Sequence, residues 1–148
     1  MQEKINQDLK IAMLGGDKAK TEVLRGLKSA ILNEVISSGA RENGLNDEQI
    51  QKVLAREAKK RTEAAELYKK AGATDRVEAE LSEKKIIEAY LPEQLSEADI
   101  SAAVTAEISH LDNPAPADMG KIIGAVKAKL GTQADGATIA RLVKERLA

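Results

Sequence analysis

The chain has 148 residues, 43% hydrophobic but only 1% aromatic, with no cysteine, one histidine and a formal net charge of −1. Disulfides, thiolate nucleophiles and cysteine metal sites are therefore excluded; with two tyrosines and no Phe or Trp, the core falls to Leu, Ile, Val and Ala. No apolar run is long enough to span a bilayer and the N-terminus lacks a signal-peptide core, so a soluble, cytoplasmic protein with no membrane partner is expected.

Hydrophobic spacing predicts helix nearly throughout, and no stretch alternates as a strand. A first helix is expected over about 2–14, with Ile5, Leu9, Ala12 and Met13 on one face and two glycines ending it. Asp17 is read as the cap of a second helix reaching about residue 38, faced by Val23, Leu24, Leu27, Ala30, Ile31 and Val35. Asn46 and Gln49 have capping-box spacing and open a long third helix to about Ala71. Thr74 is expected to cap a fourth, with Val77, Leu81, Ile87 and Tyr90 inward, and Pro92 ends it. Ser96 and Asp99 start a fifth helix through about His110, and a Pro-containing loop follows. Asp118 is then expected to cap a sixth helix carrying Met119, Ile122, Ile123, Val126 and Leu130, with Gly131 at its left-handed end. After Asp135 a seventh carries Ile139, Leu142, Val143 and Leu147. The predicted fold is all-α: an N-terminal four-helix subdomain over 1–92 and a small C-terminal three-helix subdomain over 93–148.

The net charge conceals a pattern. Residues 1–95 balance at 17 basic and 17 acidic side chains, and residues 96–118 hold five acids and no base. Residues 119–148 hold six bases (Lys121, Lys127, Lys129, Arg141, Lys144, Arg146) against two acids. Chemistry is harder to find. His110 is the single histidine, and beside an acidic loop it reads as a solvated or capping residue. No Gly-rich phosphate loop and no Ser-centred nucleophile motif occurs. No catalytic residue, metal site or cofactor is expected.

Two constellations stand out. In the third helix Lys52, Arg56, Lys59 and Lys60 recur at helical spacing, within a stretch, 50–70, of seven bases against three acids. Such a band is either a phosphate-binding stripe or a solvated face laced by Glu57–Arg61 and Glu66–Lys70 pairs. The residues alone favour the solvated face, with Glu57 and Arg61 expected as a half-buried pair beside Leu54 and Ala58. In the sixth helix Gly120 and Gly124 stack on one face, although each glycine costs up to about 1 kcal/mol relative to Ala. Either another helix packs closely there, or a sugar-phosphate backbone does. Helix packing is the simpler expectation. The start of that helix, Asp118–Lys121, also offers free N–H groups to an anion.

The stretches REAKKR (56–61), EAYLPEQLSEADI (88–100) and DMGKIIGAVKAKL…ADG (118–136) resemble the YqeY family. That family is similar to the C-terminal tail of GatB, a subunit of the glutamine-dependent aminoacyl-tRNA amidotransferase. Gly120, Ile122 and Ile123 match the family's G-x-V-M element, and Ala134 and Asp135 its A-D element. Where relatives commonly read G-R-A-D, Gln133 stands in place of the arginine. The resemblance implies an all-helical fold and a stand-alone, GatB-tail-like module that binds tRNA as an accessory factor linked to Glu-tRNA/Asp-tRNA amidation. It implies no carbon–nitrogen ligase centre in this chain; an aminoacyl-tRNA-related enzyme would be the second partner. The implied contacts are electrostatic at Lys121, Lys127, Lys129, Arg141, Lys144 and Arg146 and steric at Gly120 and Gly124, with the third-helix stripe as a second contact. Scarce aromatics agree with gripping tRNA by shape and phosphate rather than by base stacking. The alternative is a protein–protein adaptor docking through the Gly120/Gly124 ridge.

Overall fold

The computed structural model describes residues 1–148. It holds seven helices and no strand: α1 (Gln2–Leu14), α2 (Lys18–Ser37), α3 (Asp47–Lys70), α4 (Thr74–Glu88), α5 (Glu97–Ile108), α6 (Met119–Leu130) and α7 (Gly136–Leu147), with 3-10 turns at Pro116–Asp118 and Gly131–Gln133. The chain divides into two compact units, Met1–Leu91 and Pro92–Ala148.

The first unit is built by capping and then by packing. Asp17 accepts from the Lys20 N–H at 3.1 Å. Asn46 and Gln49 close a reciprocal box, each side chain accepting from the other's N–H, at 2.8 and 2.9 Å. These bonds satisfy amides that a helix start otherwise leaves open. Ile5 and Leu9 of α1, Val23, Leu24, Leu27 and Ile31 of α2, Ile50, Val53, Leu54 and Ala58 of α3, and Ile87 of α4 form one core. At the end of this unit the Tyr90 hydroxyl donates to Asp8 Oδ2, and the Lys4 ammonium lies 5.8 Å from the Tyr90 ring centroid. Burial, and then the bond to the Asp8 carboxylate, push the Tyr90 phenol well above its ordinary value.

Several expectations are corrected here. Met13 is 51% exposed and Leu81 42%; both sit outside the strip that α1 and α4 bury. Thr74 is the first helical residue, and the cap position belongs to Ala73, which has no side-chain acceptor. Arg61 does not pair with Glu57. It crosses to α4, with Nε 2.8 Å from Glu83 Oε2 and 3.8 Å from Glu80 Oε2, while Glu57 takes Lys60 at 2.8 Å. The physical reason is burial. Glu80 and Glu83 are half-buried, and the long Arg61 side chain brings a counter-charge to both. Glu66 and Lys70 form no ion pair. Farther along the hairpin Arg76 stacks 5.3 Å from the Tyr68 centroid.

The second unit has a smaller core: Ile100 and Val104 of α5, Ile122 and Val126 of α6, and Ile139, Leu142 and Val143 of α7. Half-buried Leu95, Ile108, Met119, Ile123, Leu130 and Leu147 enlarge it. Ser96 caps α5 by accepting from the Asp99 N–H at 3.2 Å, and the Asp99 carboxylate returns to the Ser96 hydroxyl at 2.9 Å. Asp118, expected to cap α6, does not. It ends the 3-10 turn begun by Pro116, and its Oδ2 accepts instead from the Ala115 N–H at 2.9 Å. Gly131 has φ 56° and leads into the second 3-10 turn. That turn clasps the start of the unit. Leu95 N–H donates to the Gln133 carbonyl at 2.9 Å, Gln94 Nε2 to the Thr132 carbonyl at 2.8 Å, and Gln133 Nε2 to the Glu93 carbonyl at 3.3 Å.

Candidate nucleic-acid interface

Ile122 and Val126 anchor α6 to its core. At about 3.6 residues per turn the opposite face is Gly120, Lys121, Gly124 and Ala128, all exposed. A Cβ added at Gly120 or Gly124 would meet nothing within 4 Å. The expectation that these glycines admit a neighbouring helix of the same subdomain is therefore overturned: α6 turns its glycine face to open space. The result is a smooth strip of exposed backbone.

The cations beside this strip differ sharply in what they already touch. Lys121 and Lys127 form no ion pair. Lys127 arches over the first turn of α7: its Cε and Nζ lie 2.9 and 3.1 Å from where a Cβ on Gly136 would stand. Asp135 makes no side-chain cap there and lies beyond ion-pair distance of Lys127. An ammonium beside the positive end of a helix is not stabilised from within, so both favour an anion from outside. Lys144 is also exposed and unpaired.

The other three bases are committed to α5 or to their own helix. Lys129 holds Glu107 Oε2 at 2.7 Å. That hydrogen bond, with the charges of Lys129, His110 and Lys121 against a burial penalty, holds the Glu107 carboxyl below its usual range. Arg141 bridges Glu97 Oε1 at 2.8 Å and Glu145 Oε1 at 2.9 Å. Arg146 donates to the Thr105 hydroxyl and, at 2.8 Å, to the Ser101 hydroxyl. The acidic block at 96–118 thus supplies partners to the basic block after it. The second unit as a whole carries eight acids and six bases, and its unpaired positive charge is local to α6 and to Lys144 near the end of α7.

The α3 stripe is largely spoken for. Lys52 pairs with Glu48 at 3.1 Å, Arg56 with Glu34 at 2.6 Å and Lys60 with Glu57 at 2.8 Å; Lys59 is its single free cation. Gln133 faces the Glu93 carbonyl within the clasp. The sequence held no sign of this clasp, because a glutamine does not announce a backbone partner 40 residues away. No group of three or more His, Cys, Asp or Glu side chains converges where a metal could be held, and no helix is long and apolar enough to cross a membrane.

The model of the Yqey-like protein family matches residues 2–147. The chain is 31% identical over 114 residues to "Altered inheritance of mitochondria protein 41, mitochondrial" from Lachancea thermotolerans, an overlap of 76% of this chain and 60% of that protein. The chain therefore spans about three fifths of that relative's length. It matches the family model along nearly its whole length, and it belongs to the YqeY family.

Proposed function

We propose that this chain is a stand-alone, GatB-tail-like module that binds tRNA through the open face of α6, as an accessory factor in tRNA-dependent amidation. The carrying observation is the empty space above Gly120 and Gly124 beside two unpaired lysines. Gly124, inside the helix, sacrifices up to about 1 kcal/mol relative to alanine, and Gly120, in the first turn, less. No neighbour in the unit uses that space, so a ligand from outside is the natural beneficiary. A phosphodiester backbone fits: it is anionic, it needs close approach, and it requires no aromatic platform. The chemistry of amide transfer is assigned to a partner enzyme of aminoacyl-tRNA metabolism. The cytoplasmic assignment belongs to the same proposal, while the relative described above is mitochondrial by its name.

With Lys121, Lys127 and Lys144 as the free cations, two or three phosphate contacts are expected. Affinity then falls roughly 10- to 40-fold between about 50 and 200 mM salt. A titration against total tRNA at two salt concentrations tests this. Binding that ignores salt, or that survives charge reversal of Lys121 and Lys127 together, removes the proposal.

A second reading, the protein adaptor, draws on the excess of acids over bases in the second unit, which weakens long-range attraction to a polyanion. On this reading a protein helix lies along the same glycine strip. A complex that persists after nuclease treatment, and that is indifferent to reversal of Lys127 and Lys129, would favour it.

A further inference from the structure

α1 buries Ile5, Leu9 and Ala12, yet its last turn projects Ile11, Met13 and Leu14 outward, 67%, 51% and 81% exposed. Three of the seven exposed large apolar side chains of the molecule thus fall within four residues. Isolated exposed leucines are ordinary, whereas a cluster of them marks a contact surface. The cluster occupies a convex helix end. Gly15 and Gly16 follow it without side chains, so nothing covers Leu14.

Cations surround this knob. Lys10 precedes it by one residue, Lys18 opens α2 just past the turn, and Arg25 lies at its foot with Nη2 3.9 Å from Met13 Sδ. None of the three forms an ion pair. Over residues 8–28 five bases (Lys10, Lys18, Lys20, Arg25 and Lys28) stand against three acids (Asp8, Asp17 and Glu22). Asp17 is engaged in capping α2, Asp8 holds the Tyr90 hydroxyl, and Glu22 is the one carboxylate on this part of α2.

We propose that this end of the first unit docks peripherally on an anionic lipid surface, with Leu14 entering the boundary between headgroups and acyl chains and Lys10, Lys18 and Arg25 meeting lipid phosphates. An apolar apex within a basic surround is the pattern that gives interfacial binding. Nucleic acid has little use for three aliphatic side chains with no aromatic among them. A second copy of the chain would set like charges against each other across a two-fold contact. The expectation of no membrane partner rested on the lack of a spanning segment, and peripheral docking requires none.

The test is flotation of the full chain with vesicles of phosphatidylcholine alone and of equal parts phosphatidylcholine and phosphatidylglycerol. Flotation is expected with the mixed vesicles and not with phosphatidylcholine. Lys18→Glu and Arg25→Glu should each weaken partitioning by about fivefold or more, and Leu14→Ser by about tenfold. All three positions are exposed, so circular dichroism should show unchanged folding. The chain has no tryptophan, so Leu14→Trp gives a unique probe whose emission should shift to the blue on mixed vesicles. Lys121→Glu combined with Lys127→Glu should float as the unaltered chain does, separating this surface from the α6 face. Failure to float with mixed vesicles, or flotation of Leu14→Ser equal to the unaltered chain, overturns the proposal. So does a Leu14→Trp emission that mixed vesicles leave unmoved. The case in which the knob seats in an acid-rimmed pocket of a protein appears as one of these failures.

Discussion

α3 and α6 are the two lysine-rich helices, and they dispose of their charge in opposite ways. α3 places carboxylates three and four residues from its cations, so Glu48 meets Lys52 and Glu57 meets Lys60, while Glu34 on α2 reaches Arg56. α6 contains no acidic residue at all. Asp118, which precedes it at the right spacing for Lys121, spends its carboxylate on the Ala115 N–H. A count of basic residues therefore says little about a binding surface until the acids within one helical turn and across the nearest helix have been subtracted. By that measure the richer helix is the weaker candidate.

Substitutions can break this contrast or make it sharper. The largest effect is expected inside α6: Ile122→Ala, at a position 1% exposed, should lower stability by about 2–5 kcal/mol. Urea denaturation would read this as collapse of the small unit with its glycine face. Next, Lys121→Glu with Lys127→Glu should reduce the slope of log affinity for tRNA against log salt by about 2, whereas Lys52→Gln with Lys60→Gln should leave it unchanged. Equal losses from both pairs would erase the contrast between the helices. Glu107→Gln works in the other direction. It releases Lys129 to join the free cations and should steepen the salt slope by about 1.

The Glu107–Lys129 pair also carries a pH signature. Because the carboxyl is held below its usual range in the folded chain, its stabilisation is present at neutral pH and above the unfolded carboxylate value. It is lost as pH falls through the lowered folded value. Stability measured across that acidic range should depend less on pH in Glu107→Gln. The smallest expected effect is Gly124→Ala. It should raise stability by about 0.5–1 kcal/mol, since the added methyl meets nothing, and it should weaken tRNA binding at the same time. A stabilised variant with unchanged affinity would mean that no ligand approaches the backbone there.

What the sequence made legible followed from local rules. The Asn46–Gln49 box and the Asp17 cap depend on neighbours three residues away, and the buried faces of α2, α6 and α7 follow from helical period alone. The misses share a different cause. Arg61 chose Glu83 over Glu57, and Arg141 and Arg146 reached α5, because helices distant in sequence came within side-chain length. The outward turn of Gly120 and Gly124 was equally hidden. Spacing shows that they share a face, but only the positions of α5 and α7 show that the face is empty. Leu81 and Met13 were misplaced because an apolar residue near the edge of a stripe has two geometrically allowed destinations.

The clasp between residues 93–95 and the turn at Gly131–Gln133 has a practical consequence for any attempt to isolate the smaller unit. A fragment that starts at Pro92 retains Gln94 and Leu95, and with them donors for the carbonyls of Thr132 and Gln133. A fragment that starts at Ser96 keeps every helix but leaves those carbonyls to water and Leu95 missing from the core. The two fragments differ by four residues at their N-termini, yet the shorter one loosens the hinge between α6 and α7. The place of the cut, more than the helices it preserves, decides whether the small unit keeps its shape.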